Sequence, residues 1–130
     1  MEIKQGDIFW VDSEPHAGSE FGGHNAKANN IRRPVVVVSG NMYNRAQAPF
    51  VVVVPVTSGS SSQEAQNRLE NDPLALPILV KNGADETHGF MFLHQLLGYD
   101  LEARNAEYVG QIDATTLRVS LKIITKQIFA

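Results

Sequence analysis

Three unbroken apolar runs dominate the first half of the chain: Ile8-Phe9-Trp10-Val11, Val35-Val36-Val37-Val38, and Phe50 to Val56. β-Branched and aromatic residues at that density favour strands, and a run without polar alternation predicts a strand buried on both faces. Pro55 is expected to mark the end of the third run or an exposed edge, because proline has no backbone donor. Leu76 to Val80 and Phe90 to Gln95 predict two more strands, separated by the turn pair Asn82-Gly83. Tyr108-Val109-Gly110 predicts a further short one, and Asn41 to Arg45 a single helical turn. The period then changes. Leu117, Leu121, Ile124 and Ile128 recur at helical spacing behind Asp113, a suitable N-cap, and predict an amphipathic C-terminal helix. Arg118, Lys122 and Lys126 form a basic stripe beside its apolar face and read as a solvated face suited to the helix C-terminal dipole, the alternative being contact with RNA or a partner. Short strands followed by one helix predict a mainly β (α+β) fold, a small barrel with the helix packed on it.

Two stretches escape the pattern. Asp12 to Asn30 is polar and rich in turn residues, with three glycines between Gly18 and Gly23, and Ser58-Gly59-Ser60-Ser61-Ser62 opens a second such segment that lasts to about Pro73. Connections of this length are usually functional or mobile. There is no internal repeat and no linker, so residues 1–130 read as a single domain. No stretch approaches the ~18 apolar residues of a membrane span, and the first residues lack the features of a signal peptide. The sequence has no cysteine. That excludes thiol catalysis, disulfides and thiolate zinc sites, and fits a cytoplasmic setting. His16, His24, His88 and His94 show no metal-ligand spacing, so neither a metal nor another cofactor is expected.

Charge adds something the net value of −3 hides. Between Phe21 and Gln63 there is no Asp or Glu, while Lys27, Arg32, Arg33 and Arg45 supply +4, leaving −7 for the remainder. A basic segment on an acidic body attracts phosphates locally. Within it, Pro34 holds Arg33 extended at the start of a strand, where the guanidinium is either a solvated surface charge or a fork of donors for phosphate oxygens. Thr57-Ser58 ends the third strand, where hydroxyls can cap a turn or donate to an oxyanion. Glu20, on the glycine-rich stretch, is either a solvated carboxylate or a base able to take a proton from a hydroxyl. His94-Gln95 closes the Phe90 segment. Alternation puts His94 on the face of Phe90 and Phe92, where it is either a packed residue or an acid/base group.

In this order the segments resemble those of the MazF/PemK family of bacterial toxins. Gly6-Asp7-Ile8-Phe9-Trp10-Val11-Asp12 resembles that family's opening Gly-Asp-x-x-Trp-Val-Asp, and Pro15 to Glu20 its Pro-x-x-Gly-Ser-Glu segment. Arg33-Pro34-Val35-Val36-Val37-Val38-Ser39 resembles its Arg-Pro-x-x-Val-x-Ser strand. Asn41-Met42-Tyr43-Asn44, Val54 to Gly59, and His88-Gly89 leading to Gln95 extend the likeness over essentially the whole chain. The resemblance implies an SH3-like barrel of the CcdB/PemK type, a homodimer, a cognate antitoxin partner, and metal-independent cleavage of single-stranded RNA. It implies catalytic roles for Arg33, Thr57 and Glu20, and puts His94 where many relatives have Asp or Asn. Ser19, Phe21, Arg32, Ser58 and Gln95 would then contact RNA. The sequence departs from the pattern between Glu20 and Arg33, which a block around His24 to Ile31 moves apart, and at Phe21, which replaces a glutamine. The alternative on the same barrel is a non-enzymatic, CcdB-like poison of DNA gyrase. Against it, the chain ends Gln127-Ile128-Phe129-Ala130 rather than Trp-Gly-Ile.

Overall fold

A computed structural model describes residues 2–13, 32–58, 67, 70–82 and 85–130, with backbone only for Ser58, Lys81, Asn82 and 85–87. The described strands are β1 (Asp7–Asp12), β2 (Arg32–Val37), β3 (Phe50–Ser58), β4 (Ala75–Asn82), β5 (Asp85–Phe92), β6 (Leu97–Asp100) and β7 (Glu107–Gln111). Helix α1 (Asn41–Gln47) lies between β2 and β3; helix α2 (Ala114–Ile123) follows β7 and continues as a π-helical turn to Ile128. Every strand pair is antiparallel, in the order β4-β5-β3-β2-β1-β7 with β6 alongside β3.

The valine runs behave as their composition predicts. Val35 and Val37 pack with Phe9, Val11, Val51, Val53 and Tyr99 on one side of the sheet. Val36 and Val38 pack with Ile8, Val54, Val56, Met91, Leu93 and Ile124 on the other. A valine buried this completely contributes ~1.5–3 kcal/mol over an exposed one, which is why the sheet is hydrophobic on both faces here.

The C-terminal helix starts at Asp113, whose Oδ2 accepts the Thr116 amide at 2.9 Å. Hydrogen bonds from the Thr116 hydroxyl and amide hold the Asp113 carboxyl below its ordinary pKa. Ile124 is buried against the sheet while Arg118, Lys122 and Lys126 are exposed. Gly6 takes φ +93°, and a Cβ there would meet Leu117 Cδ2 at 3.2 Å, so glycine also lets the helix sit down on the sheet. No helix among the described residues is long and apolar enough to cross a membrane.

Three expectations need correcting. Pro55 is buried and neither ends β3 nor lies on a free edge. It pairs with Val35 at the point where β3 changes neighbour from β6, along Phe50–Val53, to β5, along Val56–Ser58. The proline thus occupies a gap between two partner strands, where a missing donor is tolerated. The Phe90 strand stops at Phe92, and Leu93 and His94 form a turn closed by the Gln95 amide on the Phe92 carbonyl at 3.2 Å. Strand alternation therefore does not govern His94. Beyond that turn, Leu97–Asp100 returns as β6, a strand the sequence pattern does not announce.

Candidate functional site

β1 and β2 carry the first half of the site. Their register pairs Val11 with Arg33 and Asp12 with Arg32, so the two ends of the connection between them meet on one rung. Arg32 locks that rung. Its guanidinium donates to Asp12 Oδ1 at 2.9 Å, to the Trp10 carbonyl at 3.0 Å and to the Asn105 carbonyl at 2.7 Å, and lies 3.4 Å from Glu107. Asn105 closes the other side, its amide donating to Asp12 Oδ2 at 2.7 Å, and Arg104 donates to the Asp12 carbonyl at 2.9 Å. The residue expected to contact substrate thus has intramolecular partners for its guanidinium. The side chain is committed to a clamp, and two carboxylates offset its charge. The clamp fixes the strand end next to Arg33. Sequence reasoning missed Asp12 in this role; its signal was an acid at one strand end matched by an arginine at the other.

Arg33 itself is half-buried, and its Nε is buried with no hydrogen-bond partner among the described residues. Buried donors are nearly always satisfied, and one left open calls for an explanation by strain, a ligand or function. Alternation puts Arg33 on the side of Val35 and Val37, and Thr57 on the side of Pro55 and Val53. Because Val35 pairs with Pro55 and Val37 with Val53, Arg33 and Thr57 share one face, each two residues beyond the last β2–β3 rung.

Thr57 is half-buried and pairs with Phe90 of β5, and Ser58 pairs with Gly89. A Cβ on Gly89 would sit 2.7 Å from the Thr57 carbonyl oxygen and 2.8 Å from Val56 Cγ1. Glycine at that position is what allows β5 to approach β3 closely enough to hold Thr57. His94 is exposed, its ring centroid 5.4 Å from that of Phe92, so it is not a core histidine. Half-buried Gln95 follows it on the turn that carries the chain from β5 past Pro55 to β6.

The structure thus brings Arg33 and Thr57 to one face and puts His94 and Gln95 on a turn beside the same strand. Ser19, Glu20 and Phe21 lie outside the described residues, as do the Ser58 side chain and Lys27 of the basic segment. Arg45 of that segment sits instead on α1, beside Glu2 and Lys4. Among the described residues no three His, Asp or Glu side chains converge as a metal site would require. An arginine and a hydroxyl on one face can bind a phosphodiester and stabilise added negative charge on it.

Residues 4–128 match the model of a family described as PemK-like, MazF-like toxin of type II toxin-antitoxin system. Over 87 residues the chain is 37% identical to the endoribonuclease toxin MazF of Escherichia coli (strain K12), a match covering 65% of this chain and 70% of that protein. It is 28% identical over 109 residues to the endoribonuclease toxin ChpB of the same organism, covering 84% of this chain and 79% of that protein. The crystal structure of MazF (Form-I) from Deinococcus radiodurans superposes with a TM-score of 0.72 at 22% identity, covering 100% of this chain and 99% of that one. A MazE-MazF structure (Form-II) from the same organism gives 0.65 at 22% identity, covering 97% of this chain and 95% of that one. These superpositions agree with the barrel-plus-helix fold expected from the sequence.

Proposed function

The chain belongs to the PemK-like, MazF-like toxins of type II toxin-antitoxin systems, and on that basis we propose that it is a metal-independent endoribonuclease cutting single-stranded RNA. The named activity of its Escherichia coli relatives supports this reading and does not favour the gyrase-poison alternative. The observation that supports it for this chain is that strand alternation sets Thr57 on the same face as Arg33, whose buried Nε has no partner among the described residues.

In the proposed reaction the ribose 2′-oxygen attacks the adjacent phosphorus and its proton passes to a general base. The P–O5′ bond breaks and the 5′-oxygen takes a proton from a general acid. The products are a 2′,3′-cyclic phosphate and a 5′-hydroxyl. Arg33 stabilises the extra charge on the pentavalent phosphorus, for which its fork geometry suits two equatorial oxygens. The Thr57 hydroxyl donates to a non-bridging oxygen. Glu20 serves as base and His94 as acid, with Ser19, Phe21, Ser58 and Gln95 holding the flanking nucleotides. Arg32 acts one step back, by fixing the strand end from which Arg33 projects.

The same reading includes a homodimer, a cytoplasmic setting and a cognate antitoxin. A MazE-MazF assembly in Deinococcus radiodurans supports the antitoxin. Its test is a purified sample with defined single-stranded RNA and chelator: 5′-hydroxyl fragments support the proposal, and a requirement for added Mg²⁺ refutes it.

A further inference from the structure

The face that holds Arg33 and Thr57 continues past Thr57 onto the neighbouring strands. Thr57 pairs with Phe90 of β5, and Phe90 with Pro77 of β4. His88, two residues before Phe90, falls on the same side by alternation. A cavity of about 400 Å³ opens on this row, lined by Glu70, Ala75, Pro77, His88 and Phe90 among others. Its chemistry is divided. Phe90, 7% exposed, and Pro77 give it an apolar wall, while His88 and Glu70 are exposed at its rim.

A carboxylate in the lining argues against a phosphate as occupant. A flat ring with polar edges fits. It can lie against Phe90 and Pro77, while the carboxylate accepts from its N–H groups and the imidazole nitrogens reach its polar edge. Adjacent strands are about 4.8 Å apart, so a base attached to a nucleotide whose phosphate lies at Thr57 spans the distance to β5.

We propose that this cavity is the subsite for one nucleobase next to the scissile phosphate, and that His88 and Glu70 determine which base it accepts. The inference rests on the RNA-cleaving reading and adds to it a specificity-determining site that is separate from Arg33 and Thr57.

The test compares the wild type with His88→Ala on a randomised single-stranded RNA pool, sequencing fragment ends, and then on the best single substrate. The expected result is a motif relaxed at one position and a loss of kcat/KM of about tenfold or more. Replacing that one base by an abasic site should cost the wild type a similar factor and cost His88→Ala nothing further. Each abasic penalty is a ratio of two substrates within one protein, so a lower folded fraction of the variant cancels from it. An unchanged motif with unchanged kcat/KM overturns the subsite, as does an abasic penalty equal in both proteins. So does a His88→Ala effect confined to binding of a protein antitoxin. A wild type that cuts no RNA overturns the cleavage reading, and the subsite with it.

Discussion

Gly89 approaches Thr57 so closely that a Cβ on it would lie 2.7 Å from the Thr57 carbonyl oxygen. This relationship fixes where the Thr57 hydroxyl can stand, because β5 is the strand that holds the end of β3. Gly89→Ala forces the two strands apart. Overpacking of this kind costs ~1–3 kcal/mol. Urea denaturation should show that loss, and the folded variant should cut RNA more slowly. Thr57→Val keeps the β-branched shape and removes only the hydroxyl, so it should lose rate by far more than any shift in its denaturation midpoint accounts for. Wild-type activity in both variants would remove Thr57 from the chemistry.

Arg32 and Arg33 are neighbours with opposite assignments, and one pair of measurements separates them. Arg32 donates three hydrogen bonds within the β1–β2 clamp, to Asp12 and to two carbonyls. Arg32→Met should destabilise the fold by ~1–3 kcal/mol, as expected when charged hydrogen bonds are lost. If Arg32 serves only the clamp, the salt dependence of RNA binding should stay as in the wild type. A variant that kept its stability but showed a shallower salt slope would return Arg32 to the substrate.

How much of this was legible in the sequence depends on range. The valine runs and the Asp113 cap are local signals, and they yielded β2, β3 and α2 to within a few residues. Arg33-Pro34 and Thr57 were found because each sits at the end of such a run. What the sequence hid was pairing. The place of Pro55 depends on β3 having two different neighbours along one edge, and β6 is a four-residue strand with only one large aliphatic residue, Leu97. The clamp role of Arg32 needed the Asp12–Arg32 register and the distant Asn105 turn. The cavity beside Phe90 likewise needed β4, β5 and Glu70 brought together.

His94 is exposed on the turn after β5, with its ring against Phe92. As the general acid it must be protonated, so activity should fall as pH rises. His94→Asn keeps hydrogen bonding but cannot titrate, and should lose that limb of the pH–rate curve. Activity that instead falls on acidification makes His94 the base. A variant matching the wild type in rate and profile makes it a surface residue.

Asp113 gives a separate pH effect on stability. Its carboxyl is held below the ordinary aspartate pKa by the Thr116 hydroxyl and amide. A depressed folded pKa contributes stability that is present above the unfolded pKa and lost as pH falls through the folded one. The melting temperature should therefore drop on acidification partly through this cap. Asp113→Asn should flatten that part of the curve, and Asp113→Ala should lower the melting temperature at neutral pH. Identical acid limbs in wild type and Asp113→Asn would contradict the assignment.

The central claim is that Arg33 stabilises the phosphorane in a metal-independent cleavage of RNA. Its most direct measurement is the single-turnover rate on a defined single-stranded RNA in excess EDTA, wild type against Arg33→Ala, with fragment ends identified. The account predicts 5′-hydroxyl ends and a fall of roughly 10²-fold or more in the variant, as when a preorganised charge stabiliser is removed. An Arg33→Ala protein cutting at the wild-type rate, or a wild type that cuts only when Mg²⁺ is supplied, would contradict it.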